Sequence, residues 1–161
     1  MTQAFAVKGR RREAEPYHYT QCGLDDVYLL NGYKRYQTPY GNGVTVENVE
    51  GLHKAIAEYI CLHKAMLNGK EIRFLRKLLD LTQAELGVWL GCDQQSVARW
   101  EKGKTERNGA ADKLIRLLYL ASDWGDIDAT ELIKKMAALD SKITERQVFE
   151  LTAKEKWKVS A

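Results

Sequence analysis

The most constraining stretch of the 161-residue chain is residues 82–103, where two short helical segments each carry their own start and stop signals. Thr82-Gln83-Ala84-Glu85 forms a capping-box pattern: the Thr82 hydroxyl accepts from the Glu85 backbone N–H, and the Glu85 carboxylate reaches back to the helix start. A helix is expected to run to Leu90 with Leu86 and Leu90 inward. Gly91 breaks it, Asp93 caps a second helix over 94–102, and Gly103 ends that one. Gly87 is expected to face the second helix where the two approach closely. On that second helix, Val97 and Trp100 are expected to pack inward, leaving Gln94, Gln95, Ala98 and Arg99 outside. Trp89 falls off the apolar stripe of its own helix and is expected to contact another domain or subunit.

Two short helices joined by a tight glycine-containing turn are what a helix-turn-helix unit requires. The outer face of the second has an odd composition for mere solubility. Two adjacent amides followed one turn later by a guanidinium offer planar donor and acceptor groups that suit base edges in a major groove.

The flanking segments are mostly helical in period. A helix over 48–67, capped by Asn48, puts Leu52, Ile56, Ile60, His63 and Leu67 on one stripe and turns Lys54, Glu58 and Lys64 elsewhere. Asn68-Gly69 is expected to end it. A helix over 70–79 follows with Ile72, Leu75 and Leu79 inward. Beyond a polar loop, 109–121 is expected to bury Leu114, Ile115, Leu117 and Leu118, and 128–139 to bury Leu132, Ile133 and Met136.

The two ends differ in period. Residues 17–46 are rich in Tyr, Gly and Asn, with Val27-Tyr28-Leu29-Leu30 and Val44-Thr45-Val46 as strands and hairpin signals at Asn31-Gly32 and Tyr40-Gly41-Asn42-Gly43. A C-terminal hairpin is expected from Val148-Phe149-Glu150-Leu151-Thr152 and Trp157-Lys158-Val159, packing on the N-terminal sheet or serving as a dimer contact. The expected fold is thus mainly α with small β parts: a helix-turn-helix bundle, a small N-terminal sheet domain and a C-terminal hairpin. The expected division is a loose arm at 1–16, a β-rich domain at 17–46, a linking helix at 47–68, the helix-turn-helix domain at 69–122 and a C-terminal helix and hairpin at 123–161.

Ile72-Arg73-Phe74-Leu75-Arg76, Leu81-Thr82-Gln83-Ala84-Glu85-Leu86 and Gln94-Gln95-Ser96-Val97-Ala98-Arg99-Trp100-Glu101-Lys102-Gly103-Lys104 together closely resemble the XRE family, the Cro and phage-repressor class, over residues 69–121. Tyr17-His18-Tyr19-Thr20-Gln21-Cys22-Gly23-Leu24 and the linking helix resemble, more weakly, the MqsA-type antitoxins. The first resemblance implies that Gln94, Gln95 and Arg99 read bases, and that Gln83, Ser96, Lys102, Lys104, Thr105 and Arg107 meet DNA phosphates. It also implies that Arg76 and Glu101 form a structural ion pair and that Trp100 is core. Helix N-termini and cations hold phosphates and set register, whereas bidentate amides and guanidinium groups discriminate bases. Glu106 places a negative charge in the basic loop, which should weaken backbone binding.

The resemblance implies a sequence-specific regulator of double-stranded DNA, acting as a homodimeric repressor on an inverted repeat that includes its own promoter. An alternative is an antitoxin whose N-terminal domain covers a toxin protein while the helix-turn-helix autoregulates. The charge pattern is compatible: the net charge is only +3, but its positive excess sits at residues 69–120. MqsA-type zinc domains use paired CxxC motifs, whereas this chain keeps only Cys22 of them, so no zinc or other cofactor is expected. His18 with Cys22, and Cys61 with His63, offer only pairs of ligands, the latter diverging on a helix. His53, Cys61 and Cys92 are expected to be packing or surface residues.

Three widely spaced cysteines suggest a reducing compartment, and no apolar run approaches the roughly 20 residues of a spanning helix, so a cytoplasmic protein without a membrane partner is expected. No nucleophile elbow, phosphate loop, paired catalytic carboxylates or metal set is legible, and no enzyme is expected. The cluster Tyr17, Tyr19, Tyr28, Tyr33, Tyr36 and Tyr40 leaves open a ligand-binding or protein-binding sheet beside the simpler assignment to core and hairpin positions.

Overall fold

The computed structural model describes residues 15–105, 109–139 and 146–160, together with the backbone of residues 5–7 and 10–12. The described elements, in chain order, are β1 (Phe5–Val7), β2 (Arg10–Arg12), β3 (Tyr17–His18), β4 (Val27–Leu29), β5 (Tyr33–Thr38) and β6 (Gly41–Val46). They continue as α1 (Val49–His63), α2 (Gly69–Leu78), α3 (Gln83–Leu90), α4 (Gln94–Glu101), α5 (Gly109–Trp124), α6 (Ala129–Leu139), β7 (Gln147–Leu151) and β8 (Trp157–Val159). The fold is mainly α with small β parts. It divides into two compact units, one from Met1–Gln21, Asp25–Ala55 and Arg146–Ala161, the other from Cys22–Leu24 and Ile56–Glu145.

In the first unit, β3-β4-β7-β8 form a four-stranded sheet, β5 and β6 a separate ribbon, and β1 and β2 an antiparallel pair within the segment expected to be a loose arm. The C-terminal hairpin therefore shares a sheet with the N-terminal strands: β7 runs parallel to β4, with Leu29 opposite Phe149, and β8 is antiparallel to β7. Both Leu29 and Phe149 are fully buried. Asn31 completes the junction by accepting from Leu151 N through Oδ1 (2.6 Å) and donating to Leu151 O through Nδ2 (2.9 Å).

Asn31-Gly32 is consequently not the hairpin turn expected from its composition, because β4 and β5 do not pair. It is a corner where the chain leaves one sheet for another. Gly32 has φ +75°, and a Cβ there would lie 2.7 Å from the Trp157 ring. That indole in turn donates to the carbonyls of Glu47 and Asn48, each at 3.1 Å. The second turn signal does make a hairpin, β5 pairing with β6 from Tyr33↔Val46 to Thr38↔Gly41.

The second unit is built on buried apolar side chains of each helix, including Ile60, Ile72, Leu75, Leu86, Val97, Ile115 and Leu120. Full burial of such a side chain contributes about 1.5–3 kcal/mol. Several expectations need correction. Helix α1 stops at His63, which is exposed, whereas Lys64 is buried and paired with buried Glu71 at 3.1 Å. Asn68 begins α2 instead of ending α1: its Oδ1 accepts from Glu71 N (2.9 Å) while Glu71 Oε2 accepts from Asn68 N (2.8 Å), a second capping box. Leu114 and Ile133 are exposed, and Leu79, Leu90, Leu117 and Leu118 are half-buried.

On α5, Ile115 is buried as expected, and the rest of the buried face is Ala111, Asp112, Arg116, Tyr119 and Leu120. Arg116 donates through Nε to Asp112 Oδ1 (2.8 Å), and its Nη atoms reach the carbonyls of Lys64 (2.6 Å), Ala65 (3.2 Å), Cys61 (3.3 Å) and Ile60 (3.4 Å). Asp112 Oδ2 accepts from Leu67 N at 2.7 Å. A helix end leaves carbonyls without intrahelical partners. Here one buried guanidinium from α5 satisfies those at the end of α1.

Candidate nucleic-acid interface

The exposed face of α4 is positioned by contacts at both of its ends. At the N-terminal end, α3 is started by the Thr82 box: Glu85 N donates to Thr82 Oγ1 (3.1 Å) and Thr82 N to Glu85 Oε2 (2.7 Å). Hydrogen bonds from the Thr82 backbone N–H and then the Thr82 hydroxyl hold the Glu85 carboxyl below its ordinary range. Gly87 makes the turn possible. A Cβ there would fall 2.7 Å from the Cys92 carbonyl oxygen, so the close approach is to the turn entering α4. Gly91 then takes the left-handed conformation, φ 72°, that ends α3. Asp93 caps α4 by accepting from Ser96 N at 2.7 Å, and hydrogen bonds from the Ser96 hydroxyl and amide, with the Arg99 charge adding, keep its carboxyl depressed. The Cys92 thiol between them is pushed up by burial and by the Asp93 charge, so it stays neutral.

At the other end, Glu101 is gripped from two helices. Arg76 of α2 donates through Nε to Oε1 (2.5 Å) and through Nη2 to Oε2 (3.2 Å), and its Nη1 reaches the Leu81 carbonyl (2.8 Å). Gln83 of α3 donates through Nε2 to Oε2 at 2.8 Å. A carboxylate at a helix C-terminus opposes the helix dipole. The guanidinium offsets that cost, and the pair is nearly closed to water. Gly69, at the start of α2, would carry a Cβ into the Trp100 and Glu101 carbonyl oxygens, so the two helix ends can meet only because it has none.

Between these anchors Val97 and Trp100 are buried, while Gln94, Gln95 and Arg99 are exposed and Ser96 and Ala98 half-buried. A shallow groove of about 250 Å³ is lined by Gln95, Ala98, Arg99, Lys102 and Lys104. Thr105 is exposed just beyond it. The groove is therefore walled by three cations, an amide and one methyl, a surface that can address phosphates and base edges together. Of the remaining candidates, Gln83 points its amide at Glu101, and Arg107, like Glu106, lies outside the described residues. Val88 and Trp89 of α3 are exposed, at 78% and 53%.

Cys61 is buried, its thiol pushed far up by desolvation, while His63 is exposed. His18 Nε2 is 2.7 Å from the Asp25 carbonyl oxygen. Among the described residues no group of three or more His, Cys, Asp or Glu side chains is arranged to hold a metal ion. No described helix is long and apolar enough to cross a membrane. Missed in the sequence were Lys64, Glu71, Asp112 and Arg116. The signal was available: Asp112, Ile115, Arg116 and Tyr119 fall on one face at helical spacing, with the charges four apart.

A helix-turn-helix family model matches residues 72–117, the segment from α2 into α5. That match supports a DNA-binding regulatory domain of the XRE kind there, a class not typically enzymatic. It includes neither Tyr17–Leu24 nor the linking helix, on which the MqsA-type likeness rests, and nothing else supports that likeness. No curated protein and no solved structure matches the chain.

Proposed function

We propose that the chain is a sequence-specific, dimeric repressor that reads an inverted-repeat operator, including its own promoter, with α4 in the major groove. The observation that carries this is the exposure of Gln94, Gln95 and Arg99 on a helix whose other face is buried and whose ends are both anchored. An amide or guanidinium held on a rigid helix can discriminate a base by about 1–3 kcal/mol. Ser96, Lys102, Lys104, Thr105 and Arg107 would meet the backbone, and Gln83 would offer a phosphate the amide hydrogen that Glu101 leaves. One short helix makes too few contacts for tight specific binding, so two copies spaced by about 34–36 Å are required.

Fluorescence anisotropy tests the proposal, comparing DNA from upstream of the coding sequence with scrambled DNA across a salt series. The expected result is tight binding to the upstream DNA that Gln95→Ala weakens by about 1–3 kcal/mol, and Lys104→Ala weakens on both DNAs with a shallower salt slope. Equal, weak and steeply salt-dependent binding to both would reject operator reading by α4. A toxin-neutralising role for the first unit is the second reading. It is favoured by that unit having its own four-stranded sheet outside the matched segment. It requires a partner that copurifies with the intact chain.

A further inference from the structure

The β5–β6 ribbon carries side chains that DNA reading by α4 does not use. Strand alternation puts Tyr33, Arg35 and Gln37 on one face of β5, and the register Tyr33↔Val46, Arg35↔Val44, Gln37↔Asn42 brings Val46, Val44 and Asn42 to the same face. Tyr17 of β3 lies against Tyr33, ring centres 4.9 Å apart and tilted by 33°. The Arg35 guanidinium lies over both rings, 5.5 Å from the centre of Tyr17 and 5.8 Å from that of Tyr33. An open cavity of about 510 Å³ faces this array, lined by Tyr17, Arg35, Tyr36, Gln37 and Asn42 with Gly43 and Val44 between the strands.

None of the Arg35, Gln37 and Asn42 side chains is engaged by a hydrogen bond or ion pair to another described residue. This differs from their neighbours: Lys34 pairs with Glu47 at 4.0 Å, and the Tyr36 hydroxyl accepts from Thr45 Oγ1 at 3.4 Å. The cavity thus presents a cation over an aromatic base and, one pleat away, two facing carboxamides with their donors and acceptors unspent. A guanidinium lying over aromatic rings keeps N–H donors for an anion. Carboxamides offer the donor and acceptor that a base edge asks for, and a base stacks on an aromatic or guanidinium plane. A carboxylate ligand could use the cation and the amide N–H donors but would leave the two amide carbonyl acceptors idle, whereas a base edge uses donors and acceptors together. A base inside a duplex has both faces covered and cannot use the platform.

We propose that this face of the β5–β6 ribbon, with Tyr17, is a binding site for an unpaired nucleotide. The base stacks on the Arg35–Tyr17 platform, Gln37 and Asn42 address its edge, and the Arg35 N–H edge holds the phosphate. The nucleotide is either free or part of a single strand, and the site is independent of the reading assigned to α4.

The test uses the full chain and fluorescein-labelled single-stranded dA12 and dT12, followed by anisotropy in enough salt to suppress diffuse phosphate binding. Saturable binding is expected, weakened about tenfold by Arg35→Ala and several-fold by Gln37→Ala combined with Asn42→Ala, with no change in melting temperature. Arg35→Lys should behave more like the alanine variant than like the parent, because it keeps the charge and loses the plane. Gln95→Ala and Arg99→Ala should leave this binding intact. Competition separates the two sources: displacement by AMP or TMP at a concentration near the oligonucleotide Kd identifies a free nucleotide, and displacement only by unlabelled oligonucleotide identifies a strand. Absence of saturable binding by both kinds of probe overturns the proposal. So does binding that the Arg35 and carboxamide variants leave unchanged, binding that Arg99→Ala abolishes, or competition by inorganic phosphate or poly-glutamate as effective as that by nucleotides.

Discussion

Residues 82–103 and the β3-β4-β7-β8 sheet are stabilised over very different lengths of chain. In the first, the caps and the turn lie within a few residues of their partners, Thr82 with Glu85, Gly87 with Cys92 and Asp93 with Ser96, and the longer reach is confined to the end of α4, where Glu101 meets Gln83 and Arg76 and where Gly69 packs. In the second, Asn31 holds Leu151, Gly32 makes room for Trp157, and Leu29 lies opposite Phe149. The second compact unit is inserted in the chain between these partners. Local signals suffice where contacts are local, and they mislead where they are not. Asn31-Gly32 shows this: the dipeptide has hairpin chemistry, and the positive φ is used, but for a corner whose geometry Trp157 completes.

Arg116 gives the largest expected effect and tests whether a long-range device also dominates the helical unit. Its removal leaves Asp112 charged and buried, and leaves the carbonyls at the end of α1 without their donor. Breaking a buried pair on one side costs about 3–5 kcal/mol. Arg116→Met should therefore lose about that much in urea denaturation, more than any single cap in residues 82–103. A loss of less than about 1 kcal/mol would mean that water reaches the site and that the local caps carry the unit.

Glu101→Ala is next. It strands Arg76 and frees Gln83, and a loss of about 2–3 kcal/mol is expected by the same unfolding measurement. Gln94→Ala and Arg99→Ala, on the exposed face, should stay within about 0.5 kcal/mol of the parent. If the surface variants melted as early as Glu101→Ala, the division between supporting and reading residues on α4 would collapse.

Gly32→Ala probes the sheet. The new Cβ would sit against the Trp157 ring at positive φ, so a loss of about 1–3 kcal/mol is expected, with hydrogen exchange quickening in β4 and β7. An unchanged exchange pattern would show that the Trp157 contact is not what closes the corner.

These contrasts explain what could be read from the sequence. The Thr82–Glu85 capping box, Gly91, Asp93 and the buried pair Val97 and Trp100 follow from spacing within one or two turns. Three features did not. Lys64 looked like a solvent residue because its partner, Glu71, lies across a helix break that α1 reaches sooner than its pattern suggests. Asp112 and Arg116 were passed over because charged residues on a helix are ordinarily solvated, although their place on the apolar stripe marked them. The β4–β7 pairing is parallel and remote, so no turn residue announces it. At the candidate interface the exposed trio was legible as a face. Missed was that Gln83 already serves Glu101, a contact between helix ends that only the packing brings together.

The smallest expected effect is in pH, and it separates the same two regions. His53 in the first unit is half-buried with its Nε2 2.9 Å from the Tyr19 hydroxyl, and burial lowers its pKa from the ordinary 6.5. A folded pKa below the unfolded one means that the unfolded chain takes the proton first. The stabilisation from neutral His53 is complete above pH 6.5 and is lost as pH falls from there through the folded value. Asp93 and Glu85 of the second unit are also depressed, but from 3.8 and 4.5, so their contributions hold until pH falls below those values. Acidification from pH 7 to 5 should therefore quicken hydrogen exchange around His53 and the sheet while α3 and α4 keep their protection, and His53→Gln should flatten that dependence. Equal loosening of both regions between pH 7 and 5 would place the sensitive group elsewhere. Loosening of α3 and α4 only below about pH 4.5 is the signature expected of the two caps.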